Sequence, residues 1–307
     1  MTEFLQQIVN GLTLGSLYAL IAVGYTVVYG IVQLINFAHG EVFMIGAFGA
    51  LATWTVLFKG QTGLWVLPIM VLGAVLVSVL TAVVMERIAY RPLRGAPRLA
   101  PLITAIGISV FLQEAVRLFY PGAKSKLSFP EIDVVTGPGI AVAGLNIQRA
   151  AVFTVGALLV SAALLWYFVN RTRLGQGMQA VSQDPDTAQL MGINVNRIIV
   201  IAFALGAALA AVGGVAQGLL NSNIDFRMGF LAGLKAFTAA VLGGIGNIQG
   251  AIVGGLVLGI AESMATQFIP GQFGGSAWKD VWAFVLLILV LVFRPQGLLG
   301  ARVVDRA

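Results

Sequence analysis

The sequence contains no cysteine and a single histidine, His39. The first absence excludes disulfides and thiolate metal sites, and the two together leave no plausible metal cluster. No G-x-x-x-x-G-K-[ST] run occurs, so the chain carries no P-loop for ATP. A Ser-His-Asp catalytic arrangement would have to use that one histidine, which stands in a break between apolar runs. Charge is scarce too. Only 10% of the 307 residues are Asp, Glu, Lys or Arg, against roughly 25% in soluble domains. Lysine and arginine are missing from Met1–Gly11, so no n-region of a cleaved signal peptide is expected and the first apolar segment should stay.

What is present in excess is apolar surface and glycine. Hydrophobic residues make up 59% of the chain, with 38 glycines and a mean hydropathy of +0.94. This is the composition of an integral membrane protein. Glycine there permits close helix packing and helix breaks, which points to a tightly packed polytopic bundle. The net charge of +6 reads as orientation and lipid headgroup contact, not nucleic-acid binding. Apolar segments run over Phe4–Tyr29, Val42–Leu57, Leu64–Met85, Leu99–Leu118, Ala150–Val169, Ile198–Leu220, Phe230–Leu242, Ala251–Ile269 and Val281–Phe293. The fold class expected is therefore all-α, with about eight to nine hydrophobic segments. Three fall short of the ~20 residues of a spanning helix, so some are expected to be discontinuous.

Arginine sets the expected orientation. Arg87, Arg91, Arg94 and Arg98 crowd one loop, Arg171, Arg173 and Arg197 flank another, and Arg294, Arg302 and Arg306 mark the C-terminus. Counting segments places all three groups on one side, which should be the cytoplasm. Lys59, Lys124, Lys126, Lys235 and Lys279 fall on or toward the other side. The C-terminus is then inside, and the N-terminus outside if all nine segments cross. The loop 120–149, rich in proline and glycine, is the longest external stretch and reads as an ordered loop or short surface helix.

Two breaks carry the polar residues of interest. Ile35–Glu41 interrupts apolar sequence with Asn36, His39 and Glu41. The Val42–Leu57 segment after it is only about 24 Å long as a helix, short of a ~30 Å hydrocarbon core. Irregular backbone at membrane depth must line a cavity or be buried in protein, and ionisable residues there are functional candidates. Gly243–Gly250, with Asn247, is the second break, flanked by Lys235 and Glu262. Both breaks read as discontinuous helices of the kind that build transporter sites. Lys235 has the alternative of snorkelling from a helix end. Small residues follow each break: Gly46, Gly49 and Ala52 after the first, Gly254, Gly255 and Gly259 after the second. That is a weak trace of duplication and first of all a packing signal.

The longest polar run that reads as cytoplasmic is 170–197. Inside it the sequence delimits a short helix: Asp184 is an N-cap, Pro185 suits the first position, Asp186 puts negative charge in the first turn, and Gly192 can take the left-handed position after the end. Two turns are unstable alone in water and must pack on something. Ala188, Leu190 and Met191 are expected to be exposed, either as a plug for a cytoplasmic partner or as part of a connector on the membrane surface. Transport is the remaining class, either ion-coupled secondary transport or as a permease subunit served by an external ATPase. The short helix favours the second.

The runs NGLTLGSLYALIAVGYTVVYGIVQLINFAHGEVFMIGAF near the N-terminus, ERIAYRPLR at 86–94, QDPDTAQLMGINVNRI at 183–198 and LKAFTAAVLGGIGNIQGAIVGGLVLGIAE at 234–262 together resemble the branched-chain amino acid ABC permease family, LivH-type, over nearly the whole length. The resemblance implies one transmembrane permease domain, 1–307, with the ABC importer permease fold in two related helical halves. It implies a LivM-like second permease, two cytoplasmic ATPase subunits that bind the ATP and magnesium, and an extracytoplasmic solute-binding protein. It implies a multi-pass protein of the bacterial inner membrane, in contact with lipid, that is not itself an enzyme. The loop at 170–197 is similar to the family's coupling loop, which carries over to Asp184, Pro185, Asp186, Ala188, Leu190, Met191 and Gly192. The solutes implied are leucine, isoleucine and valine. Urea or short amides are the alternative, since related permeases move them with similar membrane halves.

Overall fold

Each apolar run forms one helix in the computed structural model, which describes residues 2–97, 99–142 and 144–300. The first helices are α1 (Thr2–Val32), α2 (His39–Leu57), α3 (Val66–Met85) and α4 (Leu99–Phe119). A short α5 (Asp133–Thr136) precedes α6 (Arg149–Arg171), α7 (Arg173–Gln183) and α8 (Pro185–Leu190). The remaining helices are α9 (Val195–Asn221), α10 (Met228–Gly243), α11 (Ile248–Phe268) and α12 (Lys279–Phe293). Among the described residues, seven helices are long and apolar enough to cross a membrane; α10 is a shorter apolar helix. Arg98, Arg302 and Arg306 of the orientation argument lie outside the described residues.

Side-chain and backbone links sort the connections to two ends. At one end Gln6 bonds the Asn146 carbonyl, Thr62 bonds Asp133, and β1 (Leu127–Ser128) pairs antiparallel with β4 (Asn223–Ile224). The described residues of the loop 120–149 lie there, with a small hairpin of β2 (Ile140–Val142) and β3 (Leu145–Ile147). At the other end Arg94 reaches Asn196, and the Leu298 and Leu299 N–H groups donate to the Leu242 and Gly243 carbonyls. Arg87, Arg91, Arg94, Arg171, Arg173, Arg197 and Arg294 belong to the connections and helix ends of that second, arginine-rich end.

Burial separates centre from rim. From Leu17 to Val28 every residue of α1 is buried, and α2 and α9 are nearly as enclosed. In contrast α4 turns Ile103, Ile106, Val110 and Phe111 outward, and α6 does so with Val152, Leu159, Val160 and Leu164. An apolar rim of this extent is natural only where the solvent is hydrocarbon. In lipid there is no hydrophobic drive between helices, so association depends on close van der Waals approach through small residues. Glycine supplies it. A Cβ on Gly255 would lie 2.6 Å from Ala19 Cα, and one on Gly15 would lie 2.7 Å from Leu256 Cα. The Gly255–Gly259 spacing is therefore the seam between α11 and α1.

Two expectations change. The second break does not interrupt a membrane helix. Gly244 (φ +104°) and Gly246 (φ +97°) make a tight turn between antiparallel α10 and α11, and only glycine adopts both values without strain. The polar loop also holds a further helix beside the expected one, α7, N-capped by the Thr172 hydroxyl accepting from Gly175 N–H.

Candidate translocation and coupling sites

Lys235 does not snorkel. Its side chain is 6% exposed, and its ammonium lies 2.8 Å from Glu262 Oε1 and 2.6 Å from Asp280 Oδ1. The Tyr18 hydroxyl donates to Glu262 Oε2 at 3.0 Å, and the ammonium stands 3.3 Å from the same hydroxyl. Four helices, α1, α10, α11 and α12, thus meet in one charged cluster. It borders a cavity of about 600 Å³ that opens toward the end opposite the arginine-rich one. Side-chain amides of Gln7, Asn10, Asn221 and Gln267 line the cavity alongside Leu14 and Leu17. Asp280 and Tyr18 join the cluster without any mark in the sequence around them.

Further along α1 and α10 the interior closes. Tyr25 packs edge-on against His39 with ring centroids 4.6 Å apart, and Phe237 stands 6.0 Å from Tyr25 and 5.4 Å from Phe37. The space bounded by Tyr25, Asn36, His39, Phe237 and Ile245 has no room for water. Asn36, His39 and Glu41 are all buried here, so the first break is enclosed in protein as expected. Ser109 and Gln113 of α4 both donate to Glu41 Oε1, at 2.9 and 2.8 Å. Glu41 Oε2, His39 Nε2, Asn36 Nδ2 and the Tyr25 hydroxyl have no hydrogen-bond partner among the described residues. Unpaired buried polar atoms cost roughly 1–3 kcal/mol each and are few in native proteins. Three of these groups, on Tyr25, Asn36 and His39, line the waist.

Past this waist a second cavity of about 400 Å³ lies at the arginine-rich end, between Gly30, Gln33, Met178, Ser182 and Gly246. Asn247 does not join the charged cluster. Its side chain caps α11, accepting from Gln249 and Gly250 N–H, and donates to the Leu299 carbonyl. The first break is tied to this end through Tyr90, whose hydroxyl donates to Asn36 Oδ1 at 2.6 Å. Tyr90 closes a π-turn, Glu86–Tyr90, that continues α3. Buried Glu86 of the same turn pairs with Arg94.

The short helix α8 is built as its sequence dictates. Asp184 Oδ1 accepts from Asp186 and Thr187 N–H at 3.0 and 3.1 Å, Pro185 takes the first position, and Gly192 follows the end at φ +87°. The Thr187 hydroxyl, followed by its N–H, holds the Asp184 carboxyl below the usual carboxylate range. That depression makes the cap's contribution full at neutral pH and lost progressively as pH falls from the ordinary carboxylate value through the lowered one. Leu190 is 88% exposed and Met191 79%. Ala188, expected to be exposed with them, is 4% exposed. Helix α7 lies on its face, and the Ile193 N–H returns to its carbonyl. The free apolar surface is thus two side chains, not three.

The family described as branched-chain amino acid transport system, permease component, matches residues 7–291. The high-affinity branched-chain amino acid transport system permease protein BraD of Pseudomonas aeruginosa is 47% identical, covering 99% of this chain and 98% of its own. The corresponding LivH protein of Escherichia coli K12 is 43% identical over 99% of this chain and 97% of its own. Among solved structures, PsaBC from Streptococcus pneumoniae, in complex with Fab, aligns with a TM-score of 0.50 and 14% identity, covering 95% of this chain and 92% of that one. An inward-facing putative metal-chelate type ABC transporter aligns at 0.50 and 15%, over 94% and 84%. At such identities these two likenesses speak for the fold alone.

Proposed function

The chain belongs to the branched-chain amino acid permease family, and from that premise we propose that it passes leucine, isoleucine and valine across the bacterial inner membrane inside an ATP-driven importer. The observation that carries this reading is the near full-length relation to BraD and LivH, at 47% and 43% identity. In it, a LivM-like permease stands beside this chain. Two ATPase subunits bind ATP and magnesium on the arginine-rich, cytoplasmic side, and a binding protein delivers solute to the opposite end. Solute enters the larger cavity beside Lys235 and Glu262 and must pass a region closed by Tyr25, His39 and Phe237. The C-terminus is cytoplasmic, and α8 is the coupling helix, with Asp184, Pro185, Asp186 and Gly192 shaping it and Leu190 and Met191 facing the ATPase. The closed waist between two cavities, and the two exposed apolar side chains on a capped helix, support this division of labour.

Reconstitution tests the reading. In liposomes, the isolated chain is expected not to accumulate leucine under any ion gradient. The complete assembly, with binding protein and ATP, is expected to do so. Gradient-driven uptake by the isolated chain would move the protein to the secondary transporters, and ATP-driven uptake of urea or a short amide in preference to leucine would replace the substrate.

The waist gives a second expectation. Glu41→Ala strips the acceptor from Ser109 and Gln113, and His39→Ala removes the ring packed on Tyr25. Each variant is expected to lower uptake more than it lowers the amount of assembled complex. Wild-type uptake by both would make the Ile35–Glu41 stretch a packing device only.

A further inference from the structure

We propose that Asp280 is an ammonium-recognising residue in this permease, so that the chain itself, and not only a binding protein, selects amino acids over neutral or anionic solutes of the same shape. The inference rests on the transport reading above and names the solute chemistry of its larger cavity.

The charge count comes first. Among the described residues the cluster holds one cation, Lys235, and two carboxylates, Glu262 and Asp280. Lys235 has three N–H donors and three oxygen neighbours, on Glu262, Asp280 and Tyr18. It is saturated and buried, so it has nothing left to offer a solute carboxylate. Glu262 is enclosed as well, with Tyr18 on one oxygen and Lys235 on the other. Within these three the carboxylate left over is Asp280, the most exposed of the charged side chains at 35%, and Lys279, the next cation in the lining, stands beside it in the sequence. Lys235 holds Asp280 Oδ1 at 2.6 Å and that oxygen is enclosed, so the exposed part of the carboxylate is Oδ2, which carries no hydrogen bond among the described residues. A carboxylate at the edge of a cavity, with one oxygen held by a cation and the other free, is poised for a second cation.

The rest of the lining suits an α-amino acid. Amide side chains, each with donor and acceptor, surround the rim, and Lys279 beside Asp280 offers the opposite charge for a solute carboxylate. Leu14, Leu17, Leu231 and Met228 give an apolar wall for a branched side chain. At about 600 Å³ the cavity is far larger than one leucine needs, so Asp280 and Lys279 at its edge stay open to solvent while Lys235 and Glu262 remain enclosed. Urea and short amides lack the cation and offer Asp280 only neutral N–H donors, a weaker contact than an ammonium makes.

Equilibrium binding of radiolabelled leucine to the purified permease–ATPase complex, without binding protein, tests this. Leucine methyl ester keeps the ammonium, and 4-methylpentanoate lacks it. The ester is expected to compete and 4-methylpentanoate to fail. Asp280→Asn should weaken leucine binding about tenfold or more, the usual scale for a hydrogen bond to a charged group. Asp280→Glu should restore most of it, which separates loss of the charge from loss of the fold. Equal competition by 4-methylpentanoate, leucine affinity unchanged in Asp280→Asn, or no leucine binding at all by a complex that performs ATP-driven uptake would each overturn the proposal. All three leave the transport reading standing.

Discussion

A chain carrying Leu190→Asp and Met191→Asp together is expected to insert at wild-type levels yet lose its ATPase subunits on purification. The two side chains are the largest apolar groups at α8 and stand 88% and 79% exposed. A capped helix of six residues is far below the length that is stable alone, so α8 persists through its caps and through Ala188 packed on α7. Such rigidity matters at an interface, because a preformed anchor loses less entropy on docking. Truncating one buried anchor typically costs about 2 kcal/mol or more, near 30-fold in affinity, and burying an unpaired charge costs more again. Insertion is insensitive because the loop lies outside the apolar crossings. Gly192→Val is expected to weaken the same association through the backbone, since a β-branched residue resists φ +87°. Co-purification with quantified ATPase, against membrane-inserted permease, reads both variants. Full retention of the ATPases with unchanged uptake would reduce the 170–197 loop to a connector.

Why α8 is legible in the sequence while the charged cluster is not is a matter of range. Asp184, Pro185 and Gly192 act within their own turn, so their chemistry can be read in order. The apolar crossings are legible for the same reason: the apolar run Leu99–Leu118 corresponds to a helix over Leu99–Phe119. Lys235 and Glu262 stand out for their charge in apolar sequence, but Asp280 and Tyr18 reach Lys235 across 45 and 217 positions. No local pattern links such pairs. Ser109 and Gln113, which hold Glu41, are four apart on one helix, yet nothing in α4 says that this face meets α2. Helix α7 does leave a signal: Leu174, Met178 and Val181 repeat at helical spacing behind a Thr172 cap. The difference at Ala188 follows from α7 too, because the face that α8 hides depends on where α7 lies. The glycine run at 243–250 marks a change of direction clearly, but composition alone does not tell a turn between two crossings from a break within one.

The largest expected loss of stability follows from Lys235→Met. Methionine is close to lysine in length, but Glu262 is left buried with only the Tyr18 hydroxyl on one oxygen. Breaking a buried ion pair by removing one partner typically costs about 3–5 kcal/mol, because the surviving charge stays desolvated. Against the roughly 5–15 kcal/mol that usually holds a domain together, that is a large fraction. The two arms of the cluster do not share the loss equally. Asp280 is over a third exposed and turns to water when released, so its arm is worth about 0–1 kcal/mol. Nearly all of the penalty therefore sits on Glu262, and Lys235→Met with Glu262→Gln should recover most of what the single change loses. The glutamine can still accept from Tyr18 and carries no charge to strand. The measurement is the thermal midpoint of the detergent-solubilised chain followed by size-exclusion chromatography, with the single variant lowest and the double variant between it and wild type. A single variant as stable as wild type, or a double variant worse than the single, would mean that the ammonium does not hold α10, α11 and α12 together and that the cluster is present for the solute alone.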